Sequence, residues 1–232
     1  MPLLFHPASE GSVFAFVVIV AVVIAAFLAA VHHACRTAPD GLVTTLKIAV
    51  AVGGWLGLLS WLVASGRLQA FSLHGLPFFF LAILLASFAV GLSPLGTRLA
   101  ASVPLAALVG FQSFRLPLEL VLHEWAAQGT IPGTMTWTGQ NWDIASGLVC
   151  LAAAPWANRH RKLAWTANLL GSILLLNVIR VALFSSPLPF AWGTQPPLLL
   201  ALHLPYALVG PVCVGGALIG HLVLTRALLR RV

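Results

Sequence analysis

Charge is what this sequence has least of. Of its 232 residues 7% are charged, only five of them acidic, against 60% hydrophobic. The mean hydropathy is +1.00. Too little charge is available to clothe a water-facing surface, which excludes a soluble domain and leaves an integral membrane protein. Cysteine is scarce as well. Cys35, Cys150 and Cys213 stand singly in or beside apolar runs, with no CxxC and no Cys/His set, so neither a disulfide nor a structural zinc is expected. No HExxH or comparable ligand spacing occurs, and no metal or cofactor is expected. The twelve Lys and Arg come in ones to threes with no basic stripe, which excludes nucleic acid and makes the lipid bilayer the expected partner. No repeat at a solenoid-like period and no matched pair of broken helices is visible, so residues 1–232 read as one integral domain. The N-terminus lacks a basic stretch, and the apolar run from Val13 to Val31 is too long for a signal-peptide core. It reads as a retained first span.

About 20 apolar residues cross the roughly 30 Å hydrocarbon layer. On that ruler the chain is an all-α, polytopic membrane helical bundle of about seven transmembrane helices, over residues 12–34, 42–64, 75–93, 99–126, 142–157, 163–185 and 197–224. The fourth run is longer than the bilayer requires, and Pro104 and Pro117 are its kink points. Lys and Arg concentrate in cytoplasmic connections. Arg36, Lys47, Arg98, Arg159, Arg161, Lys162, Arg226, Arg230 and Arg231 all fall on one side, and Arg67 alone lies in a connection on the other. The predicted topology is N-terminus out and C-terminus in, in a cell inner membrane.

Within the fourth run the stretch FRLPLELVLHE carries Arg115, Glu119 and His123 at intervals of four, with Gln112 one turn earlier. At about 100° per residue they share one helix face, a polar stripe on an otherwise greasy helix. Intramembrane charges face a protein interior, pair with one another and mark function. The predicted topology carries this stripe to the same outer level as Asp143 and Ser146 of the fifth run, Asn177 and Arg180 of the sixth, and His203 of the seventh. That convergence points to a site open to the extracytoplasmic face. Arg115, Glu119 and Arg180 either bind an anionic group or form a structural ion-pair network, with Glu119 as the carboxylate partner. His123 and His203 are either acid/base groups or interfacial histidines. His32, His33, His160 and His221 sit at cytoplasmic span ends. The uncharged segment from Ala127 to Asn141 reads as an outer loop, its Trp137 and Trp142 in the interfacial aromatic belt, and Asp143 reads as the N-cap of the fifth span.

From Asp143 to Gly210 the chain resembles the exosortase/archaeosortase family, membrane transpeptidases that process C-terminal sorting signals outside the cytoplasm. The family's acidic-x-Cys-Ser-Gly-Leu motif is similar to Asp143, Ile144, Ala145, Ser146, Gly147 and Leu148. Its Asn-x-x-Arg motif resembles Asn177 to Arg180, and its later histidine, followed by a glycine, resembles His203 and Gly210. The resemblance implies Arg180, His203 and Ser146 as candidate catalytic residues. Arg115, Glu119, His123, Asp143 and Asn177 are the candidate substrate-binding or structural polar network. Ala145 stands where the family has its cysteine, so the implied scaffold lacks the thiolate nucleophile. The expected function is binding or processing of an extracytoplasmic peptide or lipid-linked substrate, by a divergent enzyme or a non-catalytic binder. The alternatives are a small proton- or anion-coupled transporter, or a non-catalytic assembly factor. Transport needs polar residues along a route to both faces, and the inner half of this chain has few.

Overall fold

The computed structural model describes residues 4–70 and 72–230, so Arg231 lies outside the described residues. The described chain is helical with no strand. Helix α1 (Glu10–Cys35) and α2 (Gly41–Ala64) pair antiparallel, followed by a short α3 (Arg67–Ala70) and α4 (Ser72–Leu92). Next come α5 (Pro94–Ser102), α6 (Leu105–Phe111), α7 (Arg115–Ala127), α8 (Ile144–Ala153), α9 (Arg161–Ser185) and α10 (Gly215–Arg230). Among the described residues six helical segments are long and apolar enough to cross a bilayer, and Ile144–Trp156 is a shorter seventh. Large apolar side chains such as Val22, Val50, Leu85 and Leu176 are exposed along these helices. In water so much apolar surface is untenable, whereas in lipid it costs nothing. The protein is a multi-pass helical membrane protein.

Prolines account for the places where the observed elements depart from the expected runs. The run 99–126 is not one helix: α5 stops at Ser102, Val103 and Pro104 are extended, and the crossing segment is Leu105–Ala127. The residue before a proline is driven out of the α region, which breaks the chain at Pro104. Pro117 removes a backbone donor, and the ladder tightens just upstream into a 3-10 turn, Gln112–Phe114. The seventh run does not begin as a helix at residue 197. Pro196, Pro197 and Pro205 hold that stretch in irregular turns, and the crossing segment is Tyr206–Arg230, with a π-helical turn at Val209–Val214 around Pro211.

The fifth crossing is half loop and half helix. From Thr130 the chain descends beside α7 and α9 without regular structure beyond one 3-10 turn, Gly133–Met135. Thr134 Oγ1 meets Ser185 Oγ at 2.8 Å, the Gln140 carbonyl accepts from Asn177, and Asn141 reaches Glu119. At Asp143 it turns helical and α8 continues toward the other end. Ile131, Met135, Thr136 and Asn141 are buried while Gly133, Thr138, Gln140 and Trp142 are exposed, so the expected outer loop packs one side on the bundle and leaves the other open.

Of three apolar clusters among the described residues, one joins α2 and α4 through Leu59, Val63, Phe79 and Ile83, and the other two are stacked along the bundle axis. One, at the end carrying the N-terminus, gathers Phe16, Leu122, Trp125, Met135, Val181 and Tyr206. The other, at the end carrying most of the basic residues, gathers Val31, Leu99, Val109, Ala164, Leu224 and Leu228. Buried Gln112, Arg115, Asp143, Ser146, Asn168 and His221 separate them.

Candidate functional site

Arg115 lies near the middle of the Leu105–Ala127 span, roughly 15 Å along the helix from its start. The depth matters, because it sets the charge midway through the bundle and not at its outer surface. The side chain is 1% exposed. Its Nε donates to Asp143 Oδ2 at 2.5 Å, and Nη2 pairs with Asp143 Oδ1 in a two-pronged ion pair. Nη1 donates to Ser146 Oγ (2.8 Å) and the Gly171 carbonyl (3.1 Å), and faces His221 Nε2 at 3.0 Å. Asp143 occupies the N-cap position of α8, but its side chain makes no capping hydrogen bond. Its carboxylate is spent on Arg115.

The proton on His221 follows from its neighbours. Asn168 Nδ2 donates to Thr225 Oγ1 at 2.7 Å, and the Thr225 hydroxyl donates to the His221 carbonyl at 2.8 Å. Asn168 Oδ1 therefore faces His221 Nδ1, 2.9 Å away. An amide oxygen only accepts, so Nδ1 carries the hydrogen and Nε2 presents a lone pair to Arg115. Four elements, α7, α8, α9 and α10, thus converge on one guanidinium. Small residues permit the approach: a Cβ on Gly171 would lie 2.5 Å from His221 Cε1 and 2.9 Å from Ser146 Oγ, and one on Gly147 would lie 2.5 Å from the Leu116 nitrogen.

One turn beyond Arg115, Glu119 is also 1% exposed. It does not take the expected place opposite an arginine. Its Oε1 accepts from Asn141 Nδ2 at 2.8 Å, and its Oε2 is buried without a partner. Among the described residues the one ion pair is Arg115 with Asp143. Arg115, Glu119 and Asp143 line a cavity of about 70 Å³ whose walls are otherwise mainly apolar, Leu118, Leu175 and Cys213 among them.

The remaining candidates lie elsewhere. Asn177 Nδ2 donates to the Gln140 carbonyl at 2.7 Å. Arg180 is exposed, and its Nη2 donates to Asn177 Oδ1 (2.9 Å) and Gln140 Oε1 (3.3 Å), with the guanidinium 5.4 Å from the Trp192 ring centre. His123 stacks on Trp137 at 4.1 Å, its Nδ1 buried without a partner. His203 stacks on Phe5 at 3.9 Å, and burial holds its imidazole below the usual range. The structure therefore joins Arg115, Asp143 and Ser146, sets Glu119 in the same cavity, and places Asn177 with Arg180 around Gln140. Ser146, Arg180 and His203 share no hydrogen bond among the described residues.

Sequence reasoning missed Asn141, Asn168 and His221. His221 is 3% exposed, not interfacial. Taking the last run to end at residue 224 put this histidine at its margin, but the helix continues to Arg230. Arg226 does not terminate the helix: its guanidinium donates to the carbonyls of Gly91 and Ser93 and to Thr97 Oγ1. The spacing of His221 to Thr225, and of Asn168 to Gly171, was the available signal, polar or small residues one turn apart on apolar helices. Among the described residues no group of three or more metal-ligating side chains occurs. No family model, curated protein or solved structure matches the chain, so a functional reading has to rest on this geometry.

Proposed function

We propose that the protein admits a lipid-linked or otherwise amphiphilic substrate sideways from the bilayer, between α4 and α9, into the cavity at Glu119. One observation carries this reading. An apolar groove of about 320 Å³ between α4 and α9, walled by Leu81, Leu84, Ile179 and Leu183, shares Phe80, Val178, Ala182, Gly210 and Val214 with the inner cavity. The groove volume suits a hydrocarbon chain, and the inner end supplies the few polar groups that orient a ligand. Of two other apolar grooves, the one against α1 and α7 shares only Phe114 with the inner cavity and the one among α1, α2 and α4 shares no residue with it. The substrate-bearing half is the extracytoplasmic one if the basic end faces the cytoplasm of a bacterial-type inner membrane, the orientation that the positive-inside rule favours. A one-sided site is supported over transport by the basic half, where Ala100, Val109, Ala164, Leu224 and Leu228 are fully buried around the helix contacts.

A second reading, peptide processing as in the exosortase resemblance, is favoured by Gln140. That residue carries both Asn177 and Arg180 and leads directly into Asn141 and Asp143. Photolabelling separates the two. In nanodiscs, a lipid with a diazirine on its acyl chain is expected to label Leu81 and Ile179 several-fold more than Val18 and Val22 in the groove against α1. Equal labelling would sink the lateral-entry reading. Labelling around Gln140 and Trp192 by a diazirine-bearing apolar peptide, with none in the groove, favours peptide processing.

A further inference from the structure

The lateral-entry reading leaves open what sits at the head of the substrate, and the hydrogen-bond inventory around the cavity narrows the chemistry. A phosphate or carboxylate head needs free donors. Arg115 is the cation nearest the cavity, and its nitrogens are already turned to Asp143, Ser146, Gly171 and His221. Arg180 points the other way, because Val178 and Ala182 face the cavity while Asn177 and Arg180 lie on the opposite side of α9, against Gln140. The unmet polar group in the cavity is a carboxyl oxygen, which as the anion calls for a donor. Glu119 Oε2 is buried, unpartnered and set in the cavity wall, while Asn141 holds the other carboxylate oxygen in place.

Charge and size point the same way. Arg115 and Asp143 cancel, which leaves Glu119 without a counter-charge, and a buried carboxyl is stabilised as the anion only by pairing with a cation, being otherwise neutralised by a proton. The cavity at Glu119 is about 70 Å³ and its walls are otherwise mainly apolar, which suits a small head group with few polar atoms. An ammonium is compact, carries three donors and has no acceptor.

We propose that Glu119 is the head-group receptor for a primary ammonium borne on an apolar chain, with Glu119 Oε2 accepting its hydrogen bond and the chain lying in the α4–α9 groove. This rests on the lateral-entry reading and adds the chemical class of the ligand. A hydroxyl head meets the same oxygen with a single neutral donor and binds more weakly, because hydrogen bonds to an ionised partner are the stronger kind.

The test uses three probes with one chain length: dodecylamine, dodecanol and dodecyl phosphate. Each competes with the diazirine lipid for the groove of the full-length protein in phosphatidylcholine nanodiscs. Dodecylamine is expected to displace the label at a concentration at least tenfold lower than either of the others. Glu119→Gln should abolish that tenfold preference, so that on the variant dodecylamine and dodecanol displace the label at similar concentrations. Equal potency of the three, a preference for the phosphate, or an ammonium preference that survives Glu119→Gln overturns the proposal, although the groove reading stands. If none of the three displaces the label, the groove reading itself falls. Should Glu119→Gln fail to fold, the order of head groups on the wild-type protein decides the matter alone.

Discussion

At the scale of single residues, the polar layer is a matter of which carboxylate neutralises Arg115. Asp143 does so with both oxygens, whereas Glu119 does not pair with it. Removing one partner of a buried ion pair strands the other charge and costs about 3–5 kcal/mol, whereas removing both returns much of that. Asp143→Asn is therefore expected to lower thermal stability in detergent far more than Glu119→Gln. The Arg115→Gln/Asp143→Asn double variant should recover a large part of the loss. A double variant no more stable than either single one would show that the layer is held by shape or by the His221 and Ser146 contacts rather than by charge. The stripe on the Arg115 helix was legible because intervals of four on an apolar helix need no knowledge of the partner helices. The partner of Arg115 was not legible, because Glu119 lies one turn away in sequence while Asp143 arrives through a loop whose descent no periodicity reports.

Among elements, the decisive contact is α8 against α9, where Gly171 leaves space for Ser146 and His221. Gly to Ala within a helix ordinarily gains roughly 0.5–1 kcal/mol from the stiffer chain. Here the added Cβ meets His221 and Ser146 at 2.5–2.9 Å, and overpacking of this kind costs about 1–3 kcal/mol. Gly171→Ala should destabilise the protein and loosen the Arg115 cluster, whereas Gly53→Ala on α2, with nothing within 4 Å, should be neutral or stabilising. Matching melting shifts for the two would mean that α9 can step away from α8 at no cost. The helices α1, α2, α4 and α9 were legible to within a few residues, since each is a long, mainly apolar run that ends near a polar or charged connection. The half-loop crossing was not. Its uncharged Gly- and Thr-rich sequence suits a surface loop as well as a buried one, and only Asn141 on Glu119 and Thr134 on Ser185 reveal which it is. Proline was the more informative residue, since Pro104 ends α5 and Pro196, Pro197 and Pro205 delay the last crossing, both as local sterics require.

For the whole molecule, the six helical segments apolar enough to cross a membrane among the described residues and the half-helical fifth add to an odd number, which puts Glu10 and Arg230 at opposite ends of the bundle. The basic residues are gathered by structure as well as by sequence: Arg161 reaches the Leu228 carbonyl, Arg226 reaches the Ser93 carbonyl between α4 and α5, and Arg230 reaches the Thr97 carbonyl in α5. If this end is cytoplasmic, the cavity at Glu119 and the ledge at Gln140 belong to the extracytoplasmic half. Cys35, Cys150 and Cys213 are all buried, so replacing them by Ser gives a background for single reporter cysteines. Arg98, Lys162 and Thr138 are exposed. In intact cells Thr138→Cys is expected to react with an impermeant maleimide, while Arg98→Cys and Lys162→Cys react only after the membrane is permeabilised. The reverse pattern would invert the protein, placing Glu119 and its groove in the cytoplasmic half and requiring any substrate to come from the inner leaflet. Reaction of all three in intact cells would show that the background had lost its fold.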